Sequence, residues 1–333
     1  MTVQEPIAVT AGDPAGVGPE LTVRLLAERD ASSGPVLLVA SREELAAGIE
    51  RSGLDLAVDA LLGSPGIELL DLGSGFPGVV ATIGAPGGAW ALRALEVAVG
   101  LLGDGRAAGL VFGPLNKRSL HEAGMAEPDE LRWFENRLPH SGGVSEINVV
   151  EGVWTSRVTS HVSLREVPDL VTAERVAAAA MLLHDLLGRS GTARPRIAVC
   201  ALNPHAGEGG LFGDEEQTAI APGVTLARER GGDVHGPFPC DTLFRRAFGG
   251  EFDGVVTMHH DQGQIALKTV AFAGGVTLQA GLGHPVCTPA HGTAFDIVGH
   301  RTAQLDSTRN AYDLATRLLR AGNPRARPDR PRS

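Results

Sequence analysis

Short apolar runs with strand character alternate with longer helical segments along almost the whole chain. No other feature constrains the fold as strongly. Runs of this kind cover residues 7–10, 36–40 and 67–70, and the last helical segment covers about residues 307–321. Because alternating strands and helices bury their apolar faces in layers, the pattern predicts an α/β fold. The 333 residues are enough for about two domains.

The charge and the N-terminal residues exclude several classes of function. The net charge is -10, and no basic stripe precedes the last few residues, so we expect neither nucleic acid nor a membrane as a partner. Residues 1–6 show no signal-peptide pattern, and no apolar run reaches transmembrane length. Cys200, Cys240 and Cys287 are far apart and odd in number, so a cytoplasmic protein without a disulfide framework is predicted.

Three strand-like runs end in a histidine. The apolar run 255–257 leads into Met-His-His-Asp-Gln-Gly at 258–263, the run 154–160 leads to His161, and the run 197–202 leads to His205. In α/β proteins such strand ends form the rim at which ligands bind. The pattern therefore predicts a metal site assembled from distant parts of the chain. Imidazoles suit Zn, Co, Ni or Fe, and added carboxylate or substrate oxygens would also admit Mn or Mg.

Lysine is rare in this sequence. Of 29 basic residues only Lys117 and Lys268 are lysines, and both lie in motif-like stretches. Because arginine supplies the positive charge at the other basic positions, the compact ammonium of lysine is predicted to be needed at these two.

Two glycine-rich stretches lead to opposite interpretations. Residues 12–18 follow a strand and precede a helix, a layout that often cradles a ligand. Residues 73–78 fit GxGxxG but do not open a helix, so a dinucleotide fingerprint is rejected in favour of a loop.

Seven motifs in order resemble the 4-hydroxythreonine-4-phosphate dehydrogenase family of vitamin B6 synthesis. They are GDPAGVGPE at 12–20, GPLNK at 113–117, HVSLREVPD at 161–169, LNPHAGEGGLFGDEE at 202–216, PCDTLF at 239–244, HDQG at 260–263 and HGTAFDIVG at 291–299. The resemblance implies the fold of the isocitrate and isopropylmalate dehydrogenases, with a cleft between two α/β domains. It also implies a homodimer with shared active sites. We expect a cofactor-side domain at 1–124 plus 271–322, a metal and dimerisation domain at 125–270, and a flexible tail at 323–333.

The resemblance also implies the roles of individual residues. One divalent metal is implied at His161, His205 and His260. NAD, with NADP as an open alternative, is implied at Gly12, Asp13, His291, Gly292, Thr293, Ala294 and Asp296. Asp241 and Asp261 would orient imidazoles or bind the metal through water, and Lys268 would neutralise an acidic substrate or move a proton. Lys117 and Asn116 would line the cleft, the former as a catalytic and the latter as a substrate-binding residue.

The implied reaction oxidises a secondary alcohol of a hydroxy acid and then releases CO2. The sequence differs from the family pattern at the residues that bind the substrate phosphate in the family. Residues 129–132 read Asp-Glu-Leu-Arg in place of Gly-His-Thr-Glu, and the family's Asn and Arg fall on Thr277 and Val286. Arg132, Thr277 and Val286 are therefore the expected substrate contacts. One interpretation is sequence drift for which Arg132, Arg137 or His284 compensates, and the other is a changed substrate. The metal and NAD chemistry is therefore predicted to be retained with a changed substrate.

Several alternatives stay open at this point. The substrate can be a sugar-acid phosphate or a non-phosphorylated diol such as a cis-dihydrodiol carboxylate, with Trp133 and Phe134 either packing against its ring or serving as ordinary packing residues. Two alternatives belong to other classes of function: a non-catalytic binding protein that kept the cleft, and a metallohydrolase.

Overall fold

The structure is a computed structural model that describes residues 5–140, 143–270 and 274–322, and the expected tail at 323–333 lies outside these residues. The chain forms two compact units. The first is drawn from Met1–Val144 and Ala273–Leu319, and the second from Ser145–Phe272 and Arg320–Ser333. Among the described residues, no helix has both the length and the hydrophobicity that a membrane crossing requires.

Strands and helices alternate in both units, which confirms the predicted α/β class. The strands are β1 (Ile7–Thr10), β2 (Val36–Ala40), β3 (Ile67–Asp71), β4 (Gly109–Phe112), β5 (Ser145–Val150), β6 (Val153–Arg157), β7 (Arg196–Cys200), β8 (Asp233–Phe238), β9 (Gly254–Thr257), β10 (Val276–Ala280) and β11 (Val286–Pro289). The α-helices are α1 (Gly18–Glu28), α2 (Arg42–Ser52), α3 (Val58–Leu62), α4 (Ala85–Gly103), α5 (Lys117–Glu122), α6 (Glu130–Glu135), α7 (Val167–Leu170), α8 (Ala173–Arg189), α9 (Ala221–Glu229), α10 (Cys240–Phe248), α11 (His260–Val270) and α12 (Asp306–Gly322).

Each unit has a largely parallel arrangement of strands. In the first unit the order is β3-β2-β1-β4-β11-β10; the β10–β11 pair is antiparallel, and the other pairs described there are parallel. In the second unit the order is β5-β6-β9-β7-β8; the β5–β6 pair is antiparallel, and the other pairs described there are parallel. Because neighbouring strands run in the same direction, their carboxyl ends meet at one edge, where ligands bind in α/β proteins.

The helix α6 differs from the expectation for its part of the chain. Residues 125–143 were expected in the metal and dimerisation domain, whereas the described residues of this stretch belong to the first unit. Leu131, Trp133 and Phe134 are buried in a core cluster that also contains Leu110 and Phe112 of β4. Charged residues between these apolar positions masked a short helical face in the sequence.

Burial of Trp133 and Phe134 decides between the two roles considered for them. Their exposures are 2% and 0%, so neither ring is open to a substrate, and both are packing residues. The guanidinium of Arg137 lies over the Trp133 ring at 4.1 Å from its centroid, and the same side chain pairs with Glu127 at 2.8 Å and Glu96 at 3.0 Å. This cation and its partners cover the outer side of the aromatic pair.

Candidate functional site

The three predicted metal-binding histidines follow three adjacent strands of the second unit. Strand β9 pairs in parallel with β6 on one side and with β7 on the other. His161 follows β6, His260 begins the helix after β9, and His205 follows β7. Their segments therefore leave the sheet at the same edge, as the strand pattern predicted.

Two of the three imidazoles lie close together. The ring centroids of His161 and His260 are 5.8 Å apart, with 44° between the ring planes. A metal–nitrogen distance of about 2 Å puts each ring centre roughly 3 Å from an ion, so two rings on one ion can lie up to about 6 Å apart. The pair thus has a spacing that fits a shared cation. In the part of the chain that the structure describes, no group of three His, Cys, Asp or Glu side chains is arranged to hold a metal, so His205 does not complete the set within one chain.

Asp261 contacts the imidazole of His260. The distance from His260 Nδ1 to Asp261 Oδ1 is 2.8 Å, and this hydrogen bond lowers the pKa of the Asp261 carboxyl. A carboxylate on Nδ1 fixes the imidazole tautomer and leaves Nε2 for a metal ion. This contact is compatible with the orienting role predicted for Asp261, which stays a prediction. Burial lowers the pKa of the neighbouring His259.

Gln262 and Thr159 tie the three strand ends together, a function that was not assigned to them from the sequence. The Met258 N–H donates to Gln262 Oε1 at 2.8 Å, and Gln262 Nε2 donates to the Ala201 carbonyl beyond β7 at 2.9 Å. Thr159 Oγ1 donates to the Met258 carbonyl at 2.8 Å. These bonds fix the backbone on both sides of His260. The amide in the HDQG motif was the available signal, but its partners lie far away in sequence.

The segment that carries His205 is a left-handed turn, although its glycine-rich sequence at 206–213 predicts a flexible loop. Six consecutive residues, 205–210, have positive φ, and three of them, His205, Ala206 and Glu208, are not glycine. Each such residue costs about 1–2 kcal/mol. A conformation of this kind persists only where its surroundings fix it. The helix that follows this turn begins as a π-helix at Glu216–Ile220 and continues as α9.

The remaining predicted catalytic residues lie near helix ends. Asp241 is exposed in the first turn of α10, and Lys268 is exposed in the last turn of α11. Asp261 and Lys268 are seven positions apart on α11, so they share one side of the helix. In the first unit, Lys117 begins α5, and its Nζ lies 4.0 Å from a carboxylate oxygen of Glu130.

Two loops that carry predicted cofactor residues converge in the first unit with the loop that carries Asn116 and Lys117. The three loops follow β1, β4 and β11, which are parallel neighbours. The Asp13 N–H donates to the Pro114 carbonyl at 2.9 Å, and the Val17 N–H donates to the Thr293 carbonyl at 2.9 Å. Gly12 has φ +82° and leaves no space for a side chain, since a Cβ would lie 2.5 Å from the Gly113 backbone. The close approach of the three backbones explains the glycines of the first motif.

Asp13 and His291 occupy different positions in this group of loops. Asp13 is buried, its Oδ1 accepts from the Ala15 N–H at 2.9 Å, and burial raises the pKa of its carboxyl. It therefore shapes the loop, while its contact with a cofactor stays a prediction. His291 Nδ1 lies 2.9 Å from the Gly292 carbonyl, and its Nε2 has no hydrogen-bond partner among the residues described. Thr293 is buried, whereas Gly292 and Asp296 are exposed and Ala294 has a left-handed backbone.

The predicted substrate-binding residues fall into two groups. Asn116 caps α5 by accepting from the Ser119 N–H at 3.0 Å, Arg132 is exposed on α6 beside Glu135, and Thr277 is half-buried on β10. Val286 has 0% exposure and belongs to the core cluster of the first unit. Its prediction as a substrate contact is therefore wrong, because counting along the sequence does not reveal which side of β11 faces the core.

Cys200 and Cys240 are neighbours in the structure, although 40 positions separate them. Their Sγ atoms are 3.5 Å apart, and both are free thiols. The hydrogen bond between them raises the pKa of the Cys200 thiol and lowers that of Cys240. Cys200 lies opposite Phe238 in the β7–β8 register, which brings the start of α10 beside it. Only the strand pairing could have revealed this proximity.

Comparisons with known proteins agree with the motif order. Residues 39–315 match the model of the family described as pyridoxal phosphate biosynthetic protein PdxA. A Pseudomonas aeruginosa protein, provisionally named 4-hydroxythreonine-4-phosphate dehydrogenase 2, is 47% identical over 94% of this chain and 97% of its own length. A D-threonate 4-phosphate dehydrogenase from Salmonella typhimurium is 35% identical over 94% of this chain and 98% of its own.

A solved structure is similar over nearly the same span. The crystal structure of 4-hydroxythreonine-4-phosphate dehydrogenase from Klebsiella pneumoniae has a TM-score of 0.77 and 35% identity, covering 95% of this chain and 99% of that one. The likeness extends over both units and is not confined to one motif.

Proposed function

The chain belongs to the PdxA family of pyridoxal phosphate biosynthetic proteins, and we propose that it is a metal-dependent, NAD-linked dehydrogenase of a hydroxy acid. The observation that carries the proposal is the delivery of His161, His260 and His205 to one edge of the second unit. The reaction is the oxidation of a secondary alcohol by hydride transfer, followed by loss of CO2 from the resulting β-keto acid. Relatives named as dehydrogenases support this class of reaction.

The metal ligands are proposed to come from two protomers, with two histidines from one chain and the third from its partner. The 5.8 Å spacing of the His161 and His260 rings supports a shared ion, whereas His205 needs a second copy to reach it. Exposed apolar side chains flank these segments: Val162 and Leu164 follow His161, and Leu211 and Phe212 follow the His205 turn. Exposed apolar groups at such positions support burial in a homodimer.

The side chains around the histidines divide the chemical work. A bound divalent ion, which can be Zn, Co, Mn, Ni or Mg, would act as a Lewis acid on the oxygen of the alcohol being oxidised. Asp261 holds the His260 imidazole through Nδ1, and Asp241 is the second carboxylate proposed to orient a ligand or a water. The ammonium of Lys268 is proposed to neutralise the substrate carboxylate or to return a proton after CO2 leaves.

The loops after β1 and β11 are proposed to bind NAD, with NADP left open. Their backbone contact through Val17 and Thr293 supports one binding surface made from both loops. The buried, unpartnered Nε2 of His291 supports a polar ligand contact there. The remaining proposed contacts are Gly12, Asp13, Gly292, Ala294 and Asp296.

The substrate is proposed to be a small hydroxy acid, and its phosphorylation is the open point. Relatives are named for phosphorylated substrates. The placement of the Glu130 carboxylate near Lys117 favours a second candidate, a non-phosphorylated hydroxy acid or diol. A carboxylate beside a phosphate is unfavourable unless a cation intervenes.

The test is NADH formation by metal-stripped enzyme reloaded with each candidate metal. The panel contains 4-hydroxythreonine 4-phosphate, D-threonate 4-phosphate, their dephosphorylated forms and a cis-dihydrodiol carboxylate. We expect metal-dependent NADH formation with at least one of them. Tight metal binding without turnover on any substrate would instead identify a non-catalytic binding protein.

A further inference from the structure

Glu216 makes three hydrogen bonds to the chain just beyond β7. Its Oε1 accepts from the backbone N–H groups of Leu202 and Asn203, each at 2.8 Å, and its Oε2 accepts from the side-chain amide of Asn203 at 3.0 Å. The residue is only 4% exposed. Hydrogen bonds to a carboxylate are roughly twice as strong as neutral ones, so this clamp fixes the direction in which the chain leaves the strand.

The same carboxylate also contacts the far side of the His205 turn. A Cβ on Gly207 would lie 2.6 Å from Glu216 Oε2, so the Gly207 backbone packs directly against the carboxylate. The chain is thus held two residues before His205 and two residues after it. His205 itself has a left-handed backbone, which most residues avoid and which therefore needs fixed flanks.

We propose that Glu216 is a positioning residue for His205, holding the turn that presents this imidazole to the metal ion. The inference rests on the proposed function, because the metal is part of that proposal. Glu216 acts through the backbone, whereas Asp261 acts directly on the ring of His260. Partners that orient a metal ligand change metal affinity about 10–100-fold when they are replaced.

Glu215 provides a matched control. It lies next to Glu216 and also accepts from the Asn203 side chain, at 2.6 Å, but the bonds to the two backbone N–H groups belong to Glu216 alone. Glu215→Gln therefore makes the same chemical change without touching the backbone clamp. Glu216→Gln keeps the shape of the side chain and weakens the clamp, and Glu216→Ala removes it.

The experiment uses the full-length protein stripped of metal and titrated with Co²⁺ alone. Affinity is measured by calorimetry, ligand geometry by the visible absorption of bound Co²⁺, and mobility of the turn by amide exchange of Leu202 and Asn203 in the metal-free protein. We expect Glu216→Gln to weaken Co²⁺ binding about 10–100-fold. It should also alter the visible spectrum of bound Co²⁺ and accelerate hydrogen exchange at the Leu202 and Asn203 amides. Glu215→Gln should leave all three close to wild type. Thermal unfolding identifies variants that fail to fold. If Glu216→Ala does not fold, the test uses Glu216→Gln.

Two failures can be told apart. If folded Glu216→Gln binds Co²⁺ with unchanged affinity and spectrum, the positioning role is overturned while the metal site stands. If His205→Ala leaves Co²⁺ binding unchanged, the proposed metal site is itself wrong, and the inference falls with it.

Discussion

The ring centroids of His161 and His260 lie 5.8 Å apart, although the two residues follow different strands of the second unit. If the pair binds one ion, His260→Ala should lower both metal affinity and kcat/KM by more than about 100-fold, since even replacing an orienting partner costs 10–100-fold. His184→Ala is the control, because His184 lies on α8 and pairs only with its neighbour Asp185 in the described contacts. Metal content by elemental analysis and NADH formation measure the two effects. Undiminished metal content in His260→Ala would contradict the assignment.

Glu44 should make the stability of the protein depend on pH. Burial raises the pKa of its carboxyl to about 7. The folded state therefore holds this proton more tightly than the unfolded state. The stability linked to the proton is fully present below the unfolded pKa of about 4.3 and is lost as pH rises through about 7. The loss over this window is on the order of 3 kcal/mol.

Urea unfolding at pH 5 and pH 8 measures this effect. Glu44→Gln should flatten the difference in free energy of unfolding between the two pH values, whereas Glu43→Gln, its exposed neighbour, should leave it as in wild type. The same pH difference in Glu44→Gln and wild type would show that the carboxyl is not responsible.

Cys200 and Cys240 should form a disulfide in the native protein under mild oxidation. Their sulfurs are 3.5 Å apart and need to approach to about 2 Å. With oxidised glutathione as the oxidant, the two thiols lose their hydrogens and two molecules of reduced glutathione form. Thiol titration of the subsequently unfolded protein should then find Cys287 alone, and Cys240→Ser should form no internal disulfide. Retention of all three thiols in wild type under these conditions would exclude the cross-link.

Glu130 should discriminate against phosphorylated substrates. Its carboxylate lies 4.0 Å from Lys117 Nζ and competes with a phosphate for this cation. Glu130→Gln should lower KM for a phosphorylated substrate several-fold, about 1 kcal/mol, and leave KM for the dephosphorylated form unchanged. Glu122→Gln, on the helix that Lys117 begins but paired with Arg118, serves as the control. An equal change in KM for both substrates would show that Glu130 does not discriminate against the phosphate.

Local signals in the sequence predicted the elements well. The sequence Ser-Arg-Glu-Glu at 41–44 is typical of a helix start, and Ser41 caps α2, with its Oγ accepting from the Glu44 N–H at 3.1 Å. The GxGxxG string lies in a loop with positive φ at Gly73, Gly75 and Gly78, and the next helix begins only at Ala85. Both features depend on neighbours within a few residues, which a sequence displays directly. The same holds for the strands that end near the histidines.

Features that depend on side-chain packing or strand register could not be predicted in this way. Val286 was assigned to a substrate by counting from a motif, but the register of β11 against Leu110 directs it into the core. Glu216 was recognised only as part of a motif. Its hydrogen bonds to Leu202 and Asn203 form only when the folded chain brings Glu216 back to the end of β7, which the sequence alone does not show. The left-handed turn at His205 likewise contains three residues whose types give no sign of that backbone.

The first unit is interrupted in sequence by the second, and this order has a consequence during synthesis. Strand β11 pairs with β4 and separates it from β10, yet it is made after strands β5 to β9 of the second unit. A nascent chain that has reached residue 270 therefore holds β5 to β9, while β4 still presents an unpaired edge. Unpaired strand edges are sites of aggregation. The edge of β4 therefore stays open to aggregation for the time needed to translate the second unit.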